Sequence, residues 1–78
     1  MTRMDNKMNE WVQLTSSNLA RARWDNASNT LEIEFIGGRI YQYYDVPQQV
    51  FDSLCSGSDS AGKYFMSNIR GHFRYARL

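Results

Sequence analysis

The segment Thr30-Leu31-Glu32-Ile33-Glu34-Phe35 alternates strictly, sending Leu31, Ile33 and Phe35 to one side and Thr30, Glu32 and Glu34 to the other. A period of two marks a half-buried strand. Upstream, Leu19-Ala20-Arg21-Ala22-Arg23-Trp24 carries the same period, with Ala20, Ala22 and Trp24 on one face and two arginines on the other. Trp11-Val12-Gln13-Leu14 is a shorter strand candidate. Between the two longer runs, Asp25-Asn26-Ala27-Ser28-Asn29 collects residues that bond their own backbone and tolerate left-handed angles, which predicts a turn.

After Phe35, Ile36-Gly37-Gly38 closes a hairpin onto Arg39-Ile40-Tyr41-Gln42-Tyr43. The loop length sets the direction of the tyrosines. A two-residue Gly37-Gly38 turn places Tyr41 and Tyr43 on the outer face beside Glu34 and Glu32. A three-residue loop with Gly38 as the left-handed bulge residue sets Phe35 opposite Arg39 and puts both tyrosines on the core face with Ile33 and Leu31. Both remain open; the bulged loop is favoured because it gives the aromatic pair an apolar surface to cover.

The period then changes to helical. Pro47 suits a first helical position, Val50, Phe51 and Leu54 share one face, and Gly57 terminates the segment. A second helix of about ten residues follows from an N-cap at Ser58 or Ser60, with Gly62, Phe65, Met66 and Ile69 as its apolar stripe and Gly71 as its end. Lys63, Ser67 and Arg70 form the opposite stripe. The tail Phe73-Arg74-Tyr75-Ala76-Arg77-Leu78 alternates aromatic with basic residues and could add an edge strand. The expected architecture is α+β, an antiparallel sheet of three or four strands with two short helices packed on one face. Residues 1–10 are expected to be a flexible segment and residues 11–78 a single domain. Leu31, Ile33, Phe35, Val50, Phe51, Leu54, Phe65 and Ile69 are the expected core.

At 78 residues there is room for one domain, and such a domain buries only about 60% of the surface its unfolded chain exposes. No apolar run approaches the roughly 20 residues a bilayer span needs. The start carries two acids and no apolar signal-peptide core, so a cytoplasmic location is expected. One cysteine, Cys55, and one histidine, His72, fall short of a zinc ligand set, so neither metal nor cofactor is expected. Cys55 is expected to be half-buried and unreactive.

Catalysis needs a base held near a nucleophile or a metal. His72 is flanked by Arg70 and Arg74 and has no orienting acid nearby, so the chain is expected not to be an enzyme. Glu32 and Glu34 share a face through strand alternation alone, where Arg21, Arg23 or Arg39 can pair with them.

The formal charge of +1 conceals an asymmetry. Residues 1–59 hold five basic and eight acidic side chains, whereas residues 60–78 hold Lys63, Arg70, Arg74 and Arg77 and no acid. Such a segment attracts phosphates or forms an ordinary solvated surface. Tyr41 and Tyr43 add a stacking platform if exposed, and core if not. Ser60, Gly62 and Lys63, at the start of the second helix, are candidates for an anion site, though the longer Walker loop is missing and capping alone explains the serine.

Taken in order, several of these residues resemble the KTSC domain. This is a small module named for its occurrence at the C-terminus of some lysyl-tRNA synthetases and also found as a stand-alone bacterial or phage protein. The resemblance runs from about Val12 to Leu78. It rests on Ser16-Ser17, on Leu31, Ile33 and Phe35, on Gly38 with Tyr41-x-Tyr43, on Val46-Pro47, on Ser60-x-Gly62-x-Tyr64-Phe65 and on Ile69-Arg70. It implies RNA binding through the attachment to a synthetase, and it brings no catalytic residue. Met66 stands where the family pattern has an asparagine, which takes a polar group from that position, and Ser58 where it has an alanine, which changes only capping.

The expectation is a non-catalytic module that binds RNA or another polyanion through Tyr41, Tyr43, Ser60, Gly62, Lys63, Arg70, Arg74 and Arg77, as a monomer or weak homodimer. The alternative is a protein-interaction or adaptor domain that associates through a sheet edge or the aromatic tail.

Overall fold

The computed structural model describes residues 10–56 and 61–78. The Ser58 and Ser60 caps, the Gly57 terminator and nearly all of the N-terminal segment expected to be flexible therefore lie outside the described residues. Five strands run antiparallel in chain order: β1 (Val12–Gln13), β2 (Leu19–Asp25), β3 (Thr30–Phe35), β4 (Ile40–Tyr43) and β5 (Tyr75–Arg77). Two helices, α1 (Gln48–Ser56) and α2 (Ala61–Asn68), lie in the chain between β4 and β5. The fold is α+β as expected, with five strands rather than three or four. The short N-terminal strand and the tail both join the sheet, one at each edge.

The β3–β4 hairpin takes the bulged loop. Ile33 stands opposite Tyr41 and Leu31 opposite Tyr43. Phe35 N–H donates to the Arg39 carbonyl at 2.8 Å, and Gly38 N–H to the Phe35 carbonyl at 2.9 Å. Gly37 and Gly38 have φ of 106° and 100°, angles that a residue with a Cβ rarely adopts.

Strand β2 carries an irregularity that the alternation does not reveal. Leu19 pairs with Phe35 and Arg21 with Glu34, so Ala20 is an extra residue, a β-bulge. The bulge shifts the phase, so Leu19 is buried while Ala20 is only half-buried, contrary to the expected face. Upstream of the bulge, the Ser16 hydroxyl accepts bonds from Asn18 N–H and Leu19 N–H, and the Asn18 carbonyl accepts from Ile36 N–H at 2.8 Å. The turn at 16–18 is thereby fixed against the hairpin loop.

The helices cover the face that carries Ala22, Trp24, Leu31, Ile33 and Tyr43. Trp24 stacks on Phe51 with centroids 6.3 Å apart, and Phe65 meets Phe35 and Tyr43 edge to face. Leu19, Ala22, Trp24, Leu31, Ile33, Tyr43, Val46, Phe51, Leu54, Ala61, Phe65 and Ile69 form the core, with Phe35 and Val50 packed half-buried against it. Met66, expected on the apolar stripe of α2, is instead 50% exposed. Beyond α2, the N–H groups of Ile69 and Arg70 share the Phe65 carbonyl, and Gly71, at φ 82°, turns the chain toward β5.

On the opposite, uncovered face, Arg21 Nε donates to Glu34 at 2.6 Å and Arg23 Nε to Glu32 at 2.7 Å. Both guanidinium carbons lie over the Trp11 ring, 4.4 and 4.5 Å from its centre. Gln42 Nε2 donates to the second oxygen of Glu32, and the Tyr44 hydroxyl donates to Gln42 Oε1. These carboxylates are held as structural acceptors, which is the arrangement that strand alternation alone suggested. No helix among the described residues is long and apolar enough to cross a membrane.

Candidate functional site: an aromatic groove flanked by arginines

The alternation that places Tyr41 and Tyr43 on the helix side also places Arg39 there, two residues before Tyr41. The β4–β5 register sets Tyr75 opposite Tyr43 and Arg77 opposite Tyr41. The sheet therefore carries a patch of aromatic rings beside α2. Between that patch, α2 and the fixed 16–18 turn lies an open groove of about 830 Å³. Its aromatic wall is Phe35, Tyr41, Tyr43, Phe65 and Tyr75, and Arg39 and Arg70 are its two cations. Ser17, Asn18 and Leu19, just before the β2 bulge, also line it. Among the described residues no carboxylate lines it.

Tyr43 is the most deeply set of the tyrosines, at 5% exposure, whereas Tyr41 is half-buried and Tyr75 is 61% exposed. Burial first, and then the neighbouring phenols of Tyr41 and Tyr75, push the Tyr43 pKa up to about 12, against the opposing pull of Arg70. Tyr43 thus stays a neutral hydrogen-bond donor across the physiological range. Arg70 makes only a long contact to the Met66 sulfur at 3.6 Å, and neither Arg39 nor Arg70 has a carboxylate partner among the described residues.

Of the expected site residues, the structure brings Tyr41, Tyr43, Gly62 and Arg70 into this one groove. Lys63 is exposed on α2 outside the lining. Arg77 shares the Tyr41 face of the sheet but is not part of the lining. Arg74 turns to the uncovered face, 5.7 Å from the centre of the Tyr44 ring and 3.4 Å from Asp45. Ser60 lies outside the described residues. Arg39 and Tyr75 were not singled out for the site from the sequence. The signal for Arg39 was its two-residue spacing from Tyr41 once the bulged loop is taken; the signal for Tyr75 was the aromatic-basic alternation of the tail.

Other chemistry is sparse. His72 is exposed, and no group of three or more His, Cys, Asp or Glu residues that could hold a metal occurs among the described residues. Cys55 is half-buried as expected, and burial, then Asp52, raises its pKa to about 11.

Comparison with known proteins agrees with this architecture. A crystal structure of a KTSC domain protein from Yersinia pestis superposes with a TM-score of 0.80 at 28% identity, covering 88% of this chain and 96% of that one. An uncharacterized protein of Stutzerimonas stutzeri is 37% identical over 68 residues, 86% of this chain and 94% of the relative. A lysine–tRNA ligase of Trichormus variabilis is 38% identical over 56 residues, 72% of this chain. The chain spans only 10% of that ligase's length. The sequence profile of the KTSC domain matches residues 15–73, and the chain belongs to the KTSC domain family.

Proposed function

We propose that the protein is a non-catalytic, cytoplasmic module that binds RNA by laying a single strand along the groove between β4, β5 and α2. The observation that carries this reading is the groove's lining, among the described residues, of five aromatic rings and two arginines with no acid. Single strands are bound by stacking bases on aromatic rings while cations track the backbone, and both elements are within reach here. The exposed ring of Tyr75 and the half-buried ring of Tyr41 supply the stacking surface. Arg39 and Arg70 supply the phosphate contacts. The similarity to a segment of lysine–tRNA ligases supports RNA as the polyanion.

Fluorescence anisotropy with a labelled single-stranded RNA octamer, at low and then rising salt, tests this. Binding should weaken with a slope of about −0.7 in log K against log salt for each phosphate contacted. Arg39→Glu and Arg70→Glu should abolish most of it, while Arg74→Glu, on the other face, should change it little. No retention of RNA at low ionic strength overturns the proposal.

A protein-interaction role is the second reading, supported by the β5 edge. Tyr44 N–H donates to the Arg74 carbonyl and Leu78 N–H to the Ile40 carbonyl, so the alternation of an antiparallel ladder turns the backbone groups of Tyr75 and Arg77 outward. Sedimentation across a concentration series distinguishes it: a strict monomer that binds RNA counts against it.

A further inference from the structure

We infer that Tyr41, Tyr43 and Tyr75, together with Arg70, form a seat for a phosphate monoester, so that the groove takes a single strand by a phosphorylated end. This inference rests on the nucleic-acid reading above and names the part of the strand that the groove selects. Tyr41, Tyr43 and Tyr75 make a mutual cluster. Tyr41 and Tyr75 are 5.7 Å apart, Tyr43 and Tyr75 5.7 Å, and Tyr41 and Tyr43 6.4 Å between ring centres. Their planes are inclined by only 22° to 40°, so the three phenols line one wall side by side.

The Tyr43 hydroxyl is the key group. Tyr43, 5% exposed as a residue, lines the open groove, and its hydroxyl has no hydrogen-bond partner among the described residues. The hydroxyls of Tyr41 and Tyr75 likewise have none there. Arg70 lines the same groove as the three tyrosines. Three O–H donors and a guanidinium, with no carboxylate beside them among the described residues, suit a ligand made of acceptors.

A phosphate monoester fits that description better than the diester of a strand interior. It offers three terminal oxygens instead of two and carries a charge of about −1.5 to −2 at neutral pH, matching Arg39 and Arg70 together. An end group also enters a recess from one side, whereas an internal phosphate brings a sugar on each side of it. Tyr43, held in its donor form, supplies the deepest contact. Tyr41 and Tyr75 supply the flanking ones and leave the outer face of Tyr75 free for the first base.

The test compares single-stranded RNA hexamers that differ only at one end, a 5′-phosphate against a 5′-hydroxyl and a 3′-phosphate against a 3′-hydroxyl, each labelled at the opposite end, with phenyl phosphate as a small probe. A phosphorylated end should bind about tenfold more tightly than its hydroxyl counterpart, the scale of one charge-assisted contact. Tyr43→Phe and Tyr75→Phe, which keep the rings and so the packing, should erase that preference, so that the phosphorylated and hydroxyl ends bind alike. Equal affinity for the two ends overturns the seat and leaves the RNA reading standing, as does a preference that survives both substitutions. Binding of phenyl phosphate that depends on Tyr43, with no binding of any strand, supports the seat and overturns the RNA reading. No binding of any probe overturns both.

Discussion

Trp24 donates its indole N–H to the carbonyl of Val46 at 2.8 Å, across 22 residues of sequence and inside the core. The same Val46 donates its own N–H to the Asn29 carbonyl at 2.9 Å. The loop before α1 is therefore held on both sides by β2 and the β2–β3 turn, which seats the helical layer on the sheet. Asp45 reaches this position with φ of 58°, left-handed angles that aspartate tolerates.

Replacing Trp24 by Phe keeps a ring against Phe51 and leaves the Val46 carbonyl buried without its donor. The expected cost is about 1–3 kcal/mol, read as a lower urea midpoint with an unchanged slope. A loss within error of zero would mean that the carbonyl finds another donor.

Gly38→Ala probes backbone angle alone, because a Cβ there meets nothing within 4 Å while φ is +100°. Strain of about 1–3 kcal/mol is expected, visible as a lower thermal midpoint. If the variant is as stable as the parent, the hairpin has another loop conformation available.

Trp11→Ala removes the ring beneath Arg21 and Arg23. Each cation–π contact near the surface is worth about 0.5–1 kcal/mol, so roughly 1–2 kcal/mol should be lost. A double-mutant cycle on Arg23 and Glu32 should give a coupling below about 1 kcal/mol that shrinks in salt, since Arg23 is 42% exposed. A larger, salt-insensitive coupling would contradict this.

Alkaline pH should destabilise the fold in a defined window. Cys55 and Tyr43 both have pKa values raised by burial, from 9.0 to about 11 and from 10.0 to about 12. The unfolded chain therefore ionises first. The stability these groups contribute is full below pH 9 and is lost as pH rises from there through 12. Denaturant midpoints across that range check the sign, and Tyr43→Phe should flatten the upper part. Cys55 should also react slowly with iodoacetamide at pH 8, rising toward pH 11.

For the groove, Tyr75→Ala should cost about 1–3 kcal/mol of RNA binding if its exposed ring stacks a base, with fold stability little altered, since the ring is 61% exposed. Unchanged affinity, measured by anisotropy, would exclude stacking there.

What could be read in the chain was what obeys a fixed period. Leu31, Ile33 and Phe35 announce β3, and a core face for the tyrosines follows once the bulged loop is taken. Leu19 was hidden because a single inserted residue, Ala20, reverses the face upstream of Arg21, and a bulge leaves no mark in an alternation of alanines and arginines. Met66 fits the helical stripe by spacing but lines the open groove and is 50% exposed, so solvent stands where a core neighbour would be. The cations were grouped by their closeness in sequence, whereas the structure groups them by the elements that flank the groove. Arg39, just before β4, and Arg70, just past α2, line the same groove, and Arg74 departs to the Tyr44 side.

The succession of the five strands without any crossover bears on how the chain finds its native state. Each ladder in the meander closes only a short stretch of backbone, apart from the return of the tail past the two helices, so assembly can zip outward from the tight glycine hairpin at low entropic penalty. Stopped-flow refolding should accordingly be rapid for a sheet protein, with the last strand docking after the rest, and the recess it walls would be completed only at that final step.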